Sequence, residues 1–195
     1  MCIRDRCETG ATPLADMLGE VRAWLATHPD EVLTLFVENH VDPADLAAAV
    51  EAAGLGGYVA TPPPVGAPWP TLREMIRSGR RLLVMTEEGD GGSAAPWLVN
   101  GFSITQETPY TFPTVESFSC APNRGPAEAP LFQLNHWLAG FTALVTSAQL
   151  VNTAEVLGER AEQCRRERGQ IPNFVAVNFL DIGDTMAVVG RLNGV

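Results

Sequence analysis

The sequence predicts an α/β fold in which helices connect parallel strands, and three observations favour this class. Nearly continuous apolar runs alternate along the chain with segments of helical periodicity. Few polar residues interrupt these runs, which is typical of strands covered on both faces of a parallel sheet. Acidic, amide or imidazole residues follow the runs at their carboxyl ends. Alternating strand–helix units predict a parallel sheet that is either open or closed into a barrel.

The first half of the chain alternates between the two kinds of segment. ATPLADMLGEVRAWLATHPDE predicts a helix that stops at His28-Pro29-Asp30, and EVLTLFVENH predicts a buried strand after it. The apolar positions of this helix are Leu14, Met17, Leu18, Val21, Trp24 and Leu25. DPADLAAAVEAAG predicts a short helix with Asp42 as N-cap and Pro43 in its first turn. GYVATPPP predicts a brief strand, WPTLREMIRSG a helix and RRLLVMTEE a second buried strand.

The second half is less regular. Residues 89–96 are rich in Gly, Ser and Pro, and residues 97–130 lack a clean period, which predicts a long functional or disulfide-tied loop. PLFQLNHW predicts a third core strand. TSAQLVNTAEVLGERAEQCRRERG predicts the longest helix, which ends at Gly169. PNFVAVNFLDIGD predicts a fourth core strand, and TMAVVGRLNG predicts a closing helix.

Polar side chains follow each of the four predicted core strands. In chain order they are Glu38, Asn39 and His40, then Glu87 and Glu88, then Asn135 and His136, then Asn178 and Asp181. Barrels and doubly wound sheets both bind their ligands at the carboxyl ends of the strands, so we expect a site at this edge. Neither a GxGxxG nor a GxSxG motif follows a strand, which argues against dinucleotide binding and a hydrolase nucleophile elbow.

Composition narrows the possible functions. The formal net charge is −10 and no basic stripe is present, which argues against nucleic-acid binding and against tight binding to an anionic membrane. All 13 basic residues are Arg, so P-loop and Schiff-base mechanisms that need Lys are excluded. No apolar run approaches the roughly 18 residues that a membrane span requires.

The first six residues differ in character from the rest of the chain. MCIRDR corresponds to the translation of a transposon-end adapter used in sequencing libraries, so we expect residues 1–6 not to be native and residues 7–195 to be the native part. The alternative is an ordinary start. Without Cys2 the cysteines are Cys7, Cys120 and Cys164, an odd number. Either Cys120 and Cys164 bridge each other while Cys7 lacks its partner, or all three are buried thiols.

Four stretches carry a resemblance to a known family: CETGATPLADMLGEVRAWLATHPDEVLTLFVENH, WPTLREMIRSGRRLLVM, CAPNRGPAEAPLFQLNHW and PNFVAVNFLDIGD. They resemble the phosphatidylinositol-specific phospholipase C X-domain-like phosphodiesterases, chiefly secreted bacterial and fungal members. The resemblance implies an incomplete TIM-type (β/α) barrel that lacks its N-terminal strands. It also implies that the two catalytic histidines lie upstream of Cys7, so this chain is expected to be the C-terminal part of one barrel domain and inactive alone.

The resemblance also suggests a metal ligand. Glu38 in FVENHV matches a glutamate that binds calcium in eukaryotic relatives, and a hard cation would need several such oxygens. Ca²⁺ is therefore a candidate cofactor, although bacterial relatives often work without metal. The alternative for Glu38 is a polar rim residue. Asn39 is a weaker metal candidate, since it suits a supporting or loop position.

Two candidates for substrate contact come from the same resemblance. Trp137 follows the third strand, where an aromatic ring can stack on a sugar-like head group, and Arg124 in CAPNRG either contacts phosphate or supports the loop after Cys120. His136 beside Trp137 is a supporting catalytic candidate. The alternative for His136 is a packed, hydrogen-bonded core residue.

Further candidates follow the second and fourth strands. Asn178 stands where relatives usually carry an Asp that orients the catalytic histidine, and an amide cannot offset imidazolium charge. This departure puts the activity of the whole protein in question. Glu87 and Asp181 are rim candidates, and each is equally compatible with a solvated loop carboxylate.

The resulting hypothesis is a secreted phosphoric diester hydrolase of phospholipase C type. Its substrate would be a phospholipid or an inositol-phosphate-type compound, cleaved by general acid–base catalysis with transient contact to a membrane surface. One alternative is a barrel that has lost catalysis and binds a lipid head group or sugar. Another is a metal-dependent barrel of the glycerophosphodiester phosphodiesterase type. Secretion, with a signal peptide lost upstream, would keep a disulfide oxidised.

Overall fold

The computed structural model describes residues 12–64, 66–140 and 144–195. The chain divides into two compact units, residues 1–101 and residues 102–195, and each contains one three-stranded parallel sheet. We call them unit 1 and unit 2. Residues 1–6 and Cys7 lie outside the described residues. The predictions about the origin of residues 1–6 and the partner of Cys7 therefore concern residues that the structure does not describe.

Unit 1 is built around a sheet with the strand order β1-β2-β3. Its elements in chain order are α1 (Leu14–Thr27), β1 (Leu33–Val37), α2 (Pro43–Ala52), α3 (Leu72–Ser78), β2 (Leu82–Thr86) and β3 (Leu98–Asn100). Both neighbours of β2 run parallel to it, and Val37 of β1 is in register with Thr86. Every residue of β2 is buried because this strand lies in the centre of the sheet.

Helices α1 and α2 cover this sheet. Leu18 and Leu25 of α1 and Leu46 and Val50 of α2 are fully buried in one core with strands β1, β2 and β3. The predicted helix face is therefore confirmed at Leu18 and Leu25. Trp24 was assigned to the same face, but it lies at the surface and stacks on the ring of His28 with 4.5 Å between centroids.

Local capping explains where the unit 1 helices begin and end. Asp42 accepts a hydrogen bond from Ala44 N at 2.8 Å and Pro43 opens α2, as predicted. Thr71 and Glu74 form a reciprocal capping box at the start of α3. Gly79 ends α3 with φ 73°, a left-handed conformation that glycine adopts without a steric penalty.

Unit 2 is built around a second parallel sheet, with the order β4-β5-β6. After α4 (Gly101–Ile104), which starts at the last residue of unit 1, its elements are β4 (Thr105–Glu107), a 3₁₀ turn (Val115–Ser117), β5 (Leu131–His136), α5 (Val145–Val151), α6 (Ala154–Arg168), β6 (Phe174–Val177) and α7 (Thr185–Leu192). Phe132 and Leu134 of β5 pack against Leu157 and Ala161 of α6 in a separate core.

Three sequence predictions need correction. The segment 97–130 was taken for a loop, yet it contains β3, α4 and β4, because strands of three residues are too short to show a period. The long helix over 146–169 is two helices, since Asn152 and Thr153 interrupt it and the Thr153 hydroxyl caps α6. The brief strand at 57–64 reduces to a single bridge between Val59 and Leu82.

The α/β class with parallel sheets is confirmed, whereas the incomplete TIM-type barrel is not, because the described residues show no closed barrel. The described residues form two three-stranded sheets, and β1 and β6 each end a sheet. None of the helices in the described ranges combines the length and the apolar character needed to cross a membrane.

Candidate functional site

The carboxyl edge of the unit 1 sheet brings together the predicted residues of two strands. Val37 and Thr86 are in register, so the residues that follow β1 and β2 meet. Asn39 N donates to Glu87 Oε2 at 3.2 Å, and Asn39 Nδ2 donates to Glu88 Oε2 at 2.7 Å. His40 Nε2 lies 3.6 Å from Glu38 Oε2, and the Glu38 side chain is 81% exposed.

This edge carries three carboxylates, and those of Glu87 and Glu88 are hydrogen-bonded to Asn39. Glu38 offers one exposed carboxylate, whereas the Asn39 side-chain amide is directed to Glu88. A calcium ion takes six to eight oxygens. Among the residues that the structure describes, no group of three or more His, Cys, Asp or Glu side chains is placed to hold a metal ion. Any metal bound through Glu38 would need ligands from elsewhere.

The carboxyl edge of the unit 2 sheet is organised by a residue that sequence reasoning missed, Glu107. Its carboxylate is fully buried and accepts hydrogen bonds from Asn123 Nδ2 (2.7 Å), Arg124 Nε (2.6 Å) and Asn135 Nδ2 (2.8 Å). The backbones of Glu107 and residues 123 and 124 also pair, through two N–H···O bonds of 3.0 Å. A buried carboxylate needs such donors because burial removes its hydration.

Arg124, a predicted substrate contact, is fixed in orientation by this network. Its Nε and Nη2 both reach the Glu107 carboxylate, the second at 3.3 Å. The guanidinium also lies over the rings of Phe102, at 4.0 Å, and Tyr110, at 5.0 Å. The side chain is still 37% exposed. The structure therefore places a cation with a defined orientation beside the end of β4.

His136 is fully buried, and its two hydrogen bonds define its protonation state. Arg160 Nη1 can only donate, so His136 Nδ1, 3.1 Å away, accepts. The carbonyl of Val151 can only accept, so Nε2 carries the proton and donates at 2.8 Å. Burial, together with the nearby positive charge of Arg160, lowers the pKa of His136 to about 4, although the hydrogen bond to the Val151 carbonyl acts in the opposite direction. The imidazole is therefore neutral near pH 7, with both nitrogens engaged by the protein.

Arg160 is the second organising residue that the sequence did not reveal. It is 4% exposed and donates to the carbonyls of Asn135 (2.7 Å) and Ser119 (3.1 Å). Its guanidinium lies over the rings of Phe112 and Phe118, at 4.6 and 4.1 Å from their centroids. Burial lowers the pKa of Arg160 to about 10, so the group still carries its charge at neutral pH. It fixes residue 119 beside the end of β5.

A disulfide joins Cys120 to Cys164 next to this arginine, which is the bridged alternative of the two considered. Cys164 stands four residues after Arg160 on α6, and Arg168 stands four residues further, so the three side chains share one helix face. Arg168 Nη1 donates to the Cys120 carbonyl at 3.1 Å. This face of α6 therefore fixes the position of residues 119 and 120. Arg124 follows four residues later in the same loop.

The remaining candidates lie around the ends of β5 and β6. Trp137 and Asn178 both border a cavity of about 10 Å³, large enough for about one water molecule. The Asn178 carbonyl accepts from Asn152 Nδ2 at 2.9 Å. Phe179, the next residue, has φ 54°, a left-handed conformation rare outside glycine. Asp181 lies in the exposed turn that follows.

The predicted candidates therefore fall into two groups. Glu38, Asn39 and Glu87 lie at the edge of unit 1, and the unit 2 candidates surround the ends of β4, β5 and β6. Glu107 was missed because it ends a three-residue strand, and Arg160 because it sits on a helix whose arginines read as solvent-exposed. Glu107 is 16 and 17 residues away from Asn123 and Arg124, and this separation matches no sequence motif. Only the folded chain brings the three residues together.

Comparison with known proteins gives a consistent result. The PI-PLC X family model, described as PI-PLC X 1, matches residues 1–193. A PI-PLC X domain-containing protein 1 from Arthroderma benhamiae is 29% identical over 100% of this chain and 69% of its own length. An uncharacterized secreted protein from the same fungus is 29% identical, and a PI-PLC X domain-containing protein from Arabidopsis thaliana is 31% identical, each over 95% of this chain.

The chain spans about half the length of these last two relatives, 48% and 46%. No solved structure gives a significant match. The family match nevertheless extends over nearly every residue, and the relatives align over nearly the whole chain. The chain belongs to the PI-PLC X domain family.

Proposed function

We propose that the protein is a phosphoric diester hydrolase of phospholipase C type that acts on a phospholipid or a glycosyl-phosphoinositide-like substrate. The observation that carries this proposal is the family match over residues 1–193. The polar groups at the carboxyl ends of both parallel sheets support it, since strand–helix folds place their reactive groups there. In this proposal the two sheets are parts of one TIM-type barrel whose N-terminal strands, with the catalytic histidine pair, precede Cys7.

The histidines of this chain support the location of the pair upstream. Cleavage of a phosphodiester by acid–base catalysis needs one imidazole to take a proton and a second to supply one to the leaving oxygen. The chain has three histidines. His136 is buried and neutral, and His28 binds the Trp24 carbonyl through Nδ1 at the end of α1, at 2.8 Å. His40 follows β1 and His136 ends β5, but both nitrogens of His136 are engaged by the protein, so these residues do not make a catalytic pair.

In this proposal the chain contributes binding groups rather than proton transfer. Arg124, oriented by Glu107, would face a phosphate, and Trp137 would stack on the ring of a head group. Asn178 and Asp181 would line the rim of the barrel after β6. Glu87 would line the rim after β2. Glu38 would bind Ca²⁺ where further ligands exist. Asn178 can accept a hydrogen bond from an imidazole, but its amide cannot stabilise imidazolium as a carboxylate does.

The test is hydrolysis of phosphatidylinositol vesicles by the purified chain, with and without Ca²⁺, against a heat-inactivated sample. We expect no turnover from this chain and clear turnover from a longer version of the same protein that includes upstream histidines. Turnover by this chain well above the inactivated control would contradict the location of the acid–base pair. A longer protein that has both histidines and cleaves no phosphodiester would contradict the proposed reaction.

A second candidate is a barrel that binds a lipid head group or a sugar without cleaving it. Asn178 favours it, because the family resemblance implies an Asp at this position and this chain has a neutral amide there. The Asn178→Asp variant of the longer protein discriminates between the two. A large rise in turnover supports a weakened enzyme, whereas binding of inositol 1-phosphate without turnover in both versions supports the binding module.

We also propose that the protein is secreted. A relative bears the name of a secreted protein, and a disulfide persists in an oxidising compartment. Expression of the full gene with an epitope tag, followed by blotting of cells and medium, tests this. Tag found only inside cells would contradict it.

A further inference from the structure

A cavity of about 560 Å³ lies in unit 1, toward the amino ends of β2 and β3. Val59, which lines it, forms a bridge with Leu82, the first residue of β2. Arg80 precedes β2 by two residues and Trp97 directly precedes β3, and both also line the cavity. Because β2 and β3 are parallel, their amino ends lie at the edge opposite to the predicted site residues. The cavity is therefore separate from the candidate site at the carboxyl edge.

This cavity has an apolar floor and a polar rim. Val59, Met75 and Trp97 line it with buried apolar side chains, whereas Glu51 and Arg80 line it with exposed charged ones. Its volume falls in the range of small-molecule pockets, about 300–1,000 Å³, and an apolar lining with a few convergent polar groups is typical of such pockets. A ligand that matches both parts of the lining has an apolar body and charged groups.

Gly56 brings two opposite charges together on the wall of the cavity. Its carbonyl accepts a hydrogen bond from Arg80 Nη1 at 2.7 Å. The Glu51 carboxylate lies so close to the Cα of Gly56 that a Cβ at this position would collide with Glu51 Oε2. Gly56 is not among the glycines with positive φ, so the approach of Glu51, rather than the backbone conformation, makes a side chain unfavourable here.

We propose that this cavity binds a free amino acid with a large apolar side chain. Because Glu51 and Arg80 meet at one residue, the two charges of the ligand must lie close together, as they do on an α-carbon. The ligand ammonium would donate to the Glu51 carboxylate, and the ligand carboxylate would accept from Arg80, which has five N–H donors. The apolar side chain of the ligand would lie on the floor of the cavity.

Glu74 adds a second carboxylate to the rim of the cavity. Its Oε2 accepts hydrogen bonds from Thr71 N and Thr71 Oγ1, both at 2.8 Å, and these bonds lower the pKa of Glu74, so the group is anionic at neutral pH. With two carboxylates and one guanidinium, the cavity disfavours ligands of net negative charge. A zwitterion or an amine is therefore preferred to a carboxylate alone.

Isothermal titration calorimetry with three related compounds tests the recognition of both charges. L-phenylalanine carries an ammonium and a carboxylate, 2-phenylethylamine lacks the carboxylate, and 3-phenylpropanoate lacks the ammonium. We expect L-phenylalanine to bind about tenfold or more tightly than either analogue, because each analogue loses one charge-assisted hydrogen bond. Of the two analogues, 3-phenylpropanoate should bind more weakly, since the second carboxylate of the rim repels it.

Variants assign each charge to its residue. Arg80→Gln should weaken binding of L-phenylalanine about tenfold and leave 2-phenylethylamine unchanged, and Glu51→Gln should leave 3-phenylpropanoate no weaker than before. Gly56→Ala should displace the Glu51 carboxylate, which ends a flexible side chain, and weaken L-phenylalanine by a similar factor. Gly57→Ala is the matched control, because a Cβ at this neighbouring glycine meets no atom within 4 Å.

Nuclear magnetic resonance of the unmodified protein locates the ligand without depending on the variants. L-phenylalanine should shift the backbone amide signals of Gly56 and Arg80, whereas the signal of Asn39, at the carboxyl edge, should not move. Absence of binding at millimolar L-phenylalanine overturns the proposal. So do equal affinities for the three compounds, equal losses in Gly56→Ala and Gly57→Ala, or a shift at Asn39 without one at Gly56.

Discussion

The carboxyl edges of the two sheets have similar polar residues in different environments. In unit 1, Glu38 is 81% exposed and Asn39 bridges two surface carboxylates. In unit 2, Glu107 is fully buried, and an arginine and two asparagines satisfy its carboxylate. A disulfide and the buried Arg160 hold the surrounding chain. We infer that the unit 2 edge is stabilised as part of the core, whereas the unit 1 edge contributes little to stability.

Loss of the disulfide should have the largest effect on the free energy of unfolding. Replacing Cys120 and Cys164 with Ser releases a loop closed over a sequence separation of 44, which should lower the free energy of unfolding by about 4 kcal/mol. Urea unfolding followed by circular dichroism measures this loss. Reduction of the unmodified protein should give a similar loss. A difference below about 1 kcal/mol would show that Arg160 and Arg168 hold this segment without the bridge.

Acid should destabilise unit 2 through His136. The folded-state pKa, about 4, lies below the unfolded value, so the unfolded state binds more protons between about pH 6.5 and pH 4. The stabilisation is complete above pH 6.5 and is lost as the pH falls through 4, which amounts to about 3 kcal/mol. Urea midpoints measured from pH 7 to pH 4 should show this slope. His136→Gln removes the titrating group, so the slope of that variant should be shallower.

Glu107→Gln should destabilise the protein by about 2 kcal/mol. An amide of the same shape cannot accept all three side-chain donors, so at least one is left unsatisfied in a buried site. Loss of a buried ion-pair partner usually costs more, but Arg124 is 37% exposed and water screens it. Urea unfolding measures the change, and Glu38→Gln at the exposed edge is the matched control. Equal effects of the two variants would remove the contrast between the edges.

The smallest effect is expected at Asn39. Asn39→Ala removes its bond to Glu88, but both residues are exposed, so the free energy of unfolding should change by no more than about 0.5 kcal/mol. The same urea titration resolves this limit. A loss above about 1.5 kcal/mol would mean that the unit 1 edge is as important for folding as the unit 2 edge.

The elements predicted well are those whose pattern is long enough to read. Helix α1 and strands β1, β2, β5 and β6 follow from periodicity, and the start of α2 follows from Asp42 and Pro43. Strands β3 and β4 escaped prediction because three residues in a sheet are held by their neighbours rather than by their own sequence. The break between α5 and α6 escaped because helical spacing continues through Asn152 and Thr153.

The α/β class and the polar residues after the core strands can be predicted from the amino-acid sequence alone, because apolar periodicity and capping chemistry are local properties. The family follows from the resemblance of whole stretches of the chain. Only the tertiary structure decided what those polar residues do. Burial made His136 neutral and enclosed Glu107 with Asn123, Arg124 and Asn135. Burial and hydrogen-bond partners depend on contacts between residues far apart in the chain. Such contacts cannot be predicted from the spacing of residues along the sequence.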